Sequence, residues 1–337
     1  MRVVLSEASG LLKALYGDVQ KPIAAMLEHR AEDIEKQEDM LFKVFKKKTS
    51  NHWAENYRSL TEMDEMMPVG ENGTYPFSGF QEGYDKTITN VTYKGGFGVS
   101  REMMDDNVLV ALGDKPEKLL RSYYRGRARN MAAMLGNALQ GNEKYKRNDW
   151  EFDTRGADGK CVFSKEHAPK VAGGKQSNLY KDAFNSEVLF AACMKMATQK
   201  DDNGNTLSLH PSAILLPTLD AKLVYDVTTA VASYKQAENA NNGINPLYGA
   251  LNIYTCSYLN DFVEPLVTAG GSPWILLDET YIQTADVAIY QERCDLEVRS
   301  ELGDNDENLW KAYARYGLGF VDFRGMMAFG VPSGSTL

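Results

Sequence analysis

Few residues in this chain combine the side chains and the spacing that a catalytic or metal site needs. The 337 residues include four histidines and four cysteines, and no two cysteines form a Cys-x-x-Cys pair. Cys161 and His167 lie close enough in sequence to share a metal ion, but two further ligands are missing at any usual spacing. A polar turn histidine explains His167 more simply. The sequence therefore predicts no metal and no cofactor.

Three segments approach known ligand-binding motifs, and each lacks a defining residue. Lys175 ends a possible phosphate loop in which Pro169 replaces the first glycine. The dinucleotide-type pattern that starts at Gly96 has Arg101 in place of its last glycine, and the turn around Asp201 lacks the first and last ligands of a calcium loop. These failures predict that the protein is not an enzyme. A soluble enzyme of unknown class is the alternative, and it would need a cleft with a perturbed titrating group.

Composition and charge narrow the class of protein further. Apolar residues make up 43% of the chain and charged residues 25%, which is typical of a globular protein with a substantial core. The net charge of −9 argues against a protein whose main task is to grip nucleic acid. No stretch resembles a signal peptide or approaches the roughly 20 apolar residues of a membrane span. We therefore expect a protein that is made and used, or assembled, in a cytoplasm, without a membrane partner.

A long helix is the element around which the other segments must be arranged. It is expected to begin at Asp114, a capping residue, and to end at Gly141. Apolar residues that recur at three- and four-residue steps form one face, which includes Leu120, Tyr124 and Leu135. Residues four positions apart form a basic stripe beside that face, namely Arg121, Arg125 and Arg129. The stripe fits a solvated helix face, or a face turned towards other subunits or nucleic acid.

Two segments before this helix look like excursions from a compact body. Residues 22–48 carry a narrow apolar stripe in a charged background, which predicts a helix that ends in the solvated lysines at 46–48. Residues 68–100 are rich in glycine and tyrosine and alternate like strands, which predicts an extended two-stranded loop. Because an isolated two-stranded ribbon is marginal in water, we expect this loop to lie on an adjacent chain. The residues expected to contact that chain are Tyr75, Phe77, Phe80, Tyr84, Ile88 and Tyr93.

The chain after residue 141 predicts a body of segregated helices and strands, which is the α+β class. The helices expected there span residues 186–199 and 220–236. The strands expected there span residues 213–216, 250–258, 274–277, 287–299 and 310–329. A boundary near residue 210 and a return near residue 285 would insert a second unit into the first.

Residues 88–107, together with the long helix after them, resemble the major head subunit family of Mu-like tailed phages. The matching elements are the strand residues Thr89 and Asn90, then Val99 and Arg101, then the acidic pair Asp105 and Asp106. Residues 163–169 look like that family's Phe-Ser-x-x-His-Pro element, with Ala168 inserted before the proline. The run at 309–330 also resembles the family, and the similarity covers most of the chain from about residue 57.

This resemblance implies a phage major capsid protein with the Hong Kong-ninety-seven type capsid fold. The implied parts are an N-terminal arm with a charged helix (1–67), an extended β-hairpin loop (68–100), a peripheral domain (101–210) whose spine helix spans 114–141, an inserted axial domain (211–283), and a return to the peripheral domain by long strands (284–337). Such a structural protein assembles as hexamers and pentamers into an icosahedral head shell. The implied location is the virion, after assembly in the cytoplasm of the host bacterium.

The resemblance also implies partners and one alternative. The shell encloses double-stranded DNA without reading its sequence, and portal, scaffold or decoration proteins of the same phage are the other expected partners. An acidic chain suits a lining along which packed DNA can slide. The alternative within the same fold is an encapsulin-like compartment, whose shell encloses a cargo enzyme instead of a genome.

Overall fold

The computed structural model describes residues 4–5, 39–60, 66, 68–75, 77, 82–102, 109–170, 174–233, 245, 247–303 and 307–337. Its strands are β1 (Val4–Leu5), β2 (Lys46–Thr49), β3 (Ala54–Leu60), β4 (Glu82–Thr89), β5 (Val91–Val99), β6 (Lys144–Arg147), β7 (Trp150–Asp153), β8 (Ala213–Pro217), β9 (Asn252–Cys256), β10 (Trp274–Leu277), β11 (Ala288–Leu302), β12 (Asn308–Phe320) and β13 (Met326–Phe329). Its α-helices are α1 (Leu109–Leu139), α2 (Ser186–Ala197), α3 (Ala221–Ala232), α4 (Asn260–Thr268) and α5 (Glu279–Thr284). Phe80 and residues 22–38 of the predicted charged helix lie outside the described residues.

The main sheet is built on the two long strands near the end of the chain. β11 and β12 pair antiparallel, and β5 adds antiparallel to β12. β1 and β2 both pair parallel with β11, at different positions along it. The long strands predicted at 287–299 and 310–329 are therefore confirmed, except that the second run is broken. Gly325 adopts a φ of 77°, which favours glycine, and the chain turns there before β13 starts in another sheet.

The spine helix α1 packs its apolar face against the main sheet and the core, as predicted. Leu120, Tyr124 and Leu135 are fully buried. The helix begins at Leu109 and not at Asp114, so Asp114 lies within the helix and is not its cap. Near its other end, Gly136 lets α4 approach closely, since a Cβ at this position would lie 2.3 Å from the Cβ of Phe262.

A second sheet has four strands, in the order β13-β10-β8-β9. All residues of β8, β10 and β13 are buried, so the sheet is covered on both faces. One face packs on α2 and α3, through Leu189 and Val227 among others, while the opposite face joins the core around α1. The predicted strands and helices between residues 186 and 277 are confirmed with small changes of their ends. β13 completes this sheet, although the sequence assigned residues 284–337 to the long strands alone.

The structure contains a two-stranded antiparallel hairpin, but its strands are not the pair predicted within residues 68–100. β3 pairs antiparallel with β4, whereas β5 belongs to the main sheet. The chain turns out of the hairpin at Asn90, whose buried amide donates to Ser50 Oγ at 3.1 Å and to the carbonyl oxygen of His52 at 2.8 Å. These partners lie about 40 residues away in sequence, so the change of partner strand at Asn90 has no local signal.

The segment before the hairpin departs from the predicted helix over 22–48. Residues Asp39–Lys43 form a short 3-10 helix, and the three lysines that follow lie in β2. Lys46 Nζ and Lys48 Nζ lie 3.0 and 2.5 Å from carboxylate oxygens of Asp286, and Lys47 Nζ lies 3.0 Å from Glu292 Oε2. The lysine run is thus paired with acids at the start of β11 and is not a solvated helix end. Burial opposes ionisation of Asp286, but the hydrogen bonds from both lysines outweigh it and lower its pKa.

Candidate assembly surfaces

The tip of the hairpin presents large apolar side chains to solvent. Tyr75 is 79% exposed and Phe77 is 93% exposed, and Met66 and Val69 are exposed as well. The backbone between them makes a turn in which the Gly73 amide donates to the Gly70 carbonyl oxygen at 2.8 Å. Large apolar side chains that are exposed close together in sequence are typical of a surface that is buried in an assembly.

The base of the hairpin is fixed to the body by side-chain contacts on both strands. Tyr57 Oη donates to Oε1 of the fully buried Gln291 at 2.9 Å. Lys86 Nζ donates to Asp153 Oδ2 at 2.7 Å. Partial burial works against the charge of Asp153, but hydrogen bonds from Arg155 and Lys86 overcome it and lower the pKa of this carboxyl to about 2. The hairpin is therefore anchored at one end and exposed at the other.

A third anchor involves the loop that precedes α2. Tyr84 Oη donates to the Ala168 carbonyl oxygen at 3.3 Å, and Lys170 Nζ lies 5.6 Å from the centre of the Tyr84 ring. Lys170 also donates to the backbone carbonyl oxygen of Gly83. Ala168 and Lys170, at the end of the predicted His-Pro element, thus hold the second hairpin strand in place.

The residues predicted to contact another chain separate into two groups. Tyr75 and Phe77 are exposed, and Phe80 lies outside the described residues. Ile88 packs inside the subunit against Ile289, in space left by Gly319, where a Cβ would come within 2.7 Å of Ile88. Tyr93 stacks on Tyr316 with ring centres 4.1 Å apart. The prediction is therefore corrected for Ile88 and Tyr93, because strand alternation alone does not say which face of a strand its own chain covers.

The three arginines of the predicted basic stripe all lie on the exposed face of α1. Arg121 forms an ion pair with Glu117 one turn earlier, with Nη2 and Oε1 2.7 Å apart. Arg129 Nη2 lies 3.0 Å from Asp261 Oδ2 on α4. Exposed pairs of this kind contribute little to folding stability, so the stripe is available for interactions outside the subunit.

A fourth arginine on the same helix, Arg127, has the opposite environment and was missed in the sequence. Arg127 is fully buried, and its guanidinium lies 4.8 Å from the centre of the Phe42 ring, 4.9 Å from that of Tyr124 and 5.8 Å from that of Tyr290. Such contacts between a cation and ring faces are attractive. Arg127 therefore joins the segment around Phe42 to α1 and β11. The helical spacing could have indicated this burial, because residue 127 comes three positions after Tyr124 and so lies on the apolar face of the helix.

His167 and Cys161 have separate partners in the folded chain. His167 is fully buried, with Nδ1 2.6 Å from Asp158 Oδ2 and Nε2 3.1 Å from Asn178 Oδ1, and its ring stacks on Phe323. The Cys161 thiol faces Thr154 Oγ1 at 3.7 Å instead. Within the described ranges, no three metal-ligating side chains come together. The histidine of the predicted turn thus has a structural role, in which it fixes the loop next to the hairpin base.

Comparison with known protein families distinguishes a capsid protein from an enzyme of unknown class. The family model described as phage capsid protein matches residues 83–328, well over half of the 337 residues. The chain belongs to this phage capsid protein family. The matched range starts in the second hairpin strand and includes the spine helix, the four-stranded sheet and both long strands. No curated protein matches the chain in sequence.

Solved capsids share the fold of this phage capsid protein at low sequence identity. The capsid of Ralstonia phage GP4 has a TM-score of 0.54 at 11% identity, with 85% of this chain and 86% of that chain covered. The capsid of the native GTA particle has a TM-score of 0.50 at 12% identity, with 88% and 91% covered. The bacteriophage JBD30 capsid has a TM-score of 0.50 at 14% identity, with 66% and 91% covered.

Family and fold together identify a structural shell protein with the α+β fold of phage major capsid proteins, and not an enzyme. In the part of the chain that the structure describes, no helix is long and apolar enough to cross a membrane.

Proposed function

We propose that this capsid protein assembles as hexamers and pentamers into an icosahedral head shell that encloses double-stranded DNA. The observation that carries the proposal is the hairpin, whose base is fixed by Tyr57 and Lys86 while its tip exposes Tyr75 and Phe77. When another chain covers these apolar side chains and removes them from water, the free energy of the system falls, which favours assembly. The tip of one subunit would bind a different surface on its neighbour. Such head-to-tail contacts can close into rings and shells.

The parts of the subunit have proposed roles in this shell. Residues 211–283, completed by β13, would form the axial domain at the centre of each capsomer. The exposed arginines of α1 would face a neighbouring subunit or the enclosed DNA, which the chain contacts without sequence specificity. Portal, scaffold or decoration proteins are the further partners, and assembly takes place in the cytoplasm of the host. The order of the motifs from Thr89 to His167 supports membership of the Mu-like branch of capsid proteins.

The test removes the tip and keeps the hairpin base. Residues 61–81 are deleted, and Leu60 is joined to Glu82 by an Asn-Gly turn, since these two residues pair across the hairpin. A deletion that reached Gly95 would also remove part of β5 from the main sheet and would unfold the subunit. The wild-type chain and the variant are expressed alone and are compared by electron microscopy and sedimentation.

We expect shells or rings from the wild-type chain, and a folded subunit that forms neither from the variant. Circular dichroism and thermal unfolding check that the variant subunit is intact. Normal shells from the variant would remove the hairpin tip from its proposed role. Wild-type shells that contain a host protein would show a cargo compartment and contradict the proposed genome shell.

A further inference from the structure

A cavity of about 190 Å³ lies between the spine helix α1 and the strands β5, β6 and β12. Its lining is mixed: one part is apolar and aromatic, and the polar part includes Lys94, Ser122, Asn130 and Arg147, with Gly126 beside them. The cavity is separate from the hairpin tip and from the ion pairs at the hairpin base. Its size is sufficient for a small anion together with part of the group that carries it.

The charge of this cavity is unusual for an acidic chain. Its charged lining residues are Lys94 and Arg147, and no carboxylate lines it. Two other basic side chains near α1 do have acid partners, since Arg129 pairs with Asp261 and Lys144 pairs with Glu151. Among the described residues, no carboxylate lies within ion-pair distance of Lys94 or Arg147. Lys94 is exposed, whereas Arg147 is half-buried. A guanidinium that is partly removed from water without a counter-ion is unfavourable, so an anion would stabilise Arg147 in this position.

A buried amide fixes the direction of the Arg147 side chain. Asn130 is 2% exposed, and its Nδ2 donates to Tyr316 Oη at 2.9 Å. Its Oδ1 accepts a hydrogen bond from Arg147 Nη1. A guanidinium carries five N–H donors in a rigid fork that matches the oxygens of phosphate, and the bond to Asn130 engages one of its nitrogens. The orientation of the fork is thus set before any ligand arrives.

Gly126 leaves open space beside the cavity, and no neighbouring atom of the subunit requires a glycine at this position. It lies inside α1, where glycine is less favourable than alanine. A Cβ at this position would have no atom within 4 Å, so nothing in the subunit requires its absence. Open space beside a fixed guanidinium is what a bound ligand needs.

We propose that this cavity binds a phosphate group, with Arg147 as the main ligand and Lys94 and Ser122 at its edge. The phosphate has two possible sources. One is the backbone of the enclosed nucleic acid, a source that rests on the proposed shell function. The other is free inorganic phosphate, which requires no shell. Both present the same oxygens to the guanidinium.

The test measures binding of inorganic phosphate to the purified chain by isothermal titration calorimetry. Arg147→Gln removes the guanidinium, and Arg147→Lys keeps the charge but loses the fork. Gly126→Leu fills the cavity and leaves all charges in place. Lys146→Gln is the matched control, because Lys146 is an exposed neighbour of Arg147 on the same strand and does not line the cavity.

We expect the dissociation constant for phosphate to rise at least about tenfold in Arg147→Gln and in Gly126→Leu, and to stay unchanged in Lys146→Gln. The dissociation constant of Arg147→Lys should lie between those of the wild type and Arg147→Gln, because lysine keeps the positive charge but lacks the guanidinium fork. Thermal unfolding confirms that each variant is folded. Equal phosphate affinity in the wild-type, Arg147→Gln and Gly126→Leu chains, or no binding by the wild-type chain, would overturn the proposal.

A short duplex DNA then replaces phosphate as the probe and identifies the source. Weaker duplex binding in Arg147→Gln than in Lys146→Gln supports the nucleic-acid backbone, whereas an effect on inorganic phosphate alone supports the free ion. Shell formation is scored separately by electron microscopy. Loss of phosphate binding with normal shells would leave the proposed shell intact, and loss of shells with normal phosphate binding would leave the phosphate site intact.

Discussion

The segment at 39–49 and the hairpin formed by β3 and β4 both contact β11, but their apolar residues have different environments. Leu41, Val44 and Phe45 are buried in the subunit's own core, and the lysines after them are paired with acids. The hairpin is anchored at its base only and exposes Tyr75 and Phe77 at its tip. A charged segment can thus belong entirely to its own subunit, while an apolar tip is left for another chain.

The largest effect expected from this contrast is on the buried segment. Phe45→Ala removes a fully buried ring that packs against Phe320, with ring centres 5.6 Å apart. We expect the free energy of unfolding of the subunit to fall by about 3–5 kcal/mol, from lost burial and the cavity that remains. Urea unfolding followed by circular dichroism measures it. A loss no larger than that from an exposed substitution would mean that the segment is not docked in solution.

Arg127→Ala is expected to have the next largest effect, because it removes the buried guanidinium that contacts Phe42 and Tyr124. The free energy of unfolding should fall by about 2–3 kcal/mol, from lost packing and lost contacts between the cation and the rings. Hydrogen exchange should also increase in residues 39–49. Arg125→Ala, at an exposed position on the same helix, should stay within about 0.5 kcal/mol of the wild type. Equal effects of the two substitutions would contradict the role given to Arg127.

The hairpin base should show an acid-dependent contribution from Asp153. Its pKa is lowered from 3.8 to about 2, so its hydrogen bonds with Arg155 and Lys86 stabilise the folded subunit above pH 4, and this effect is lost as the pH falls towards 2. Because this carboxyl is partly exposed, we expect the contribution to be about 1 kcal/mol. Urea unfolding of the wild type and of Asp153→Asn at several pH values measures it. Asp149→Asn, at an exposed position nearby, is the control that should keep the wild-type pH dependence.

Substitutions at the hairpin tip should have the smallest effect on the stability of the subunit, but they should abolish assembly. Tyr75→Ser with Phe77→Ser should change the free energy of unfolding by less than about 0.5 kcal/mol, because both side chains are exposed in the subunit. Shells should nevertheless be absent by electron microscopy. Thr74→Ser, which leaves both rings in place, should assemble normally. Normal shells from the double variant would show that apolar contact at the tip does not drive assembly.

Several parts of the fold could be predicted because their signals are local. The repeat of apolar residues in α1 gave the spine helix and its buried face, and the unbroken apolar run at 274–277 gave β10 with both ends correct. The exposure of Tyr75 and Phe77 followed from a glycine-rich segment without a helical or core pattern. In each case the residues that decide the structure lie within a few turns of the chain.

The errors have a common physical cause, which is a partner distant in sequence. The lysines at 46–48 formed a strand because Asp286 and Glu292 lie beside them in the folded chain. Ile88 and Tyr93 became internal because β12 offers Gly319 and Tyr316 at the matching positions. Alternation along a strand assigns residues to two faces, but it does not identify what covers each face.

The sequence by itself determined that this chain forms a mixed α+β body around one long helix, with exposed apolar residues on an extended segment. Periodicity and turn residues are enough for this, because they act over neighbouring positions. Only the tertiary structure decided that β3 and β4 form the hairpin, that Arg127 is buried while Arg125 is exposed, and that Arg147 faces a cavity without carboxylates. These features depend on which distant segments meet, and hydrophobic burial, being non-directional, does not encode that choice in any single stretch.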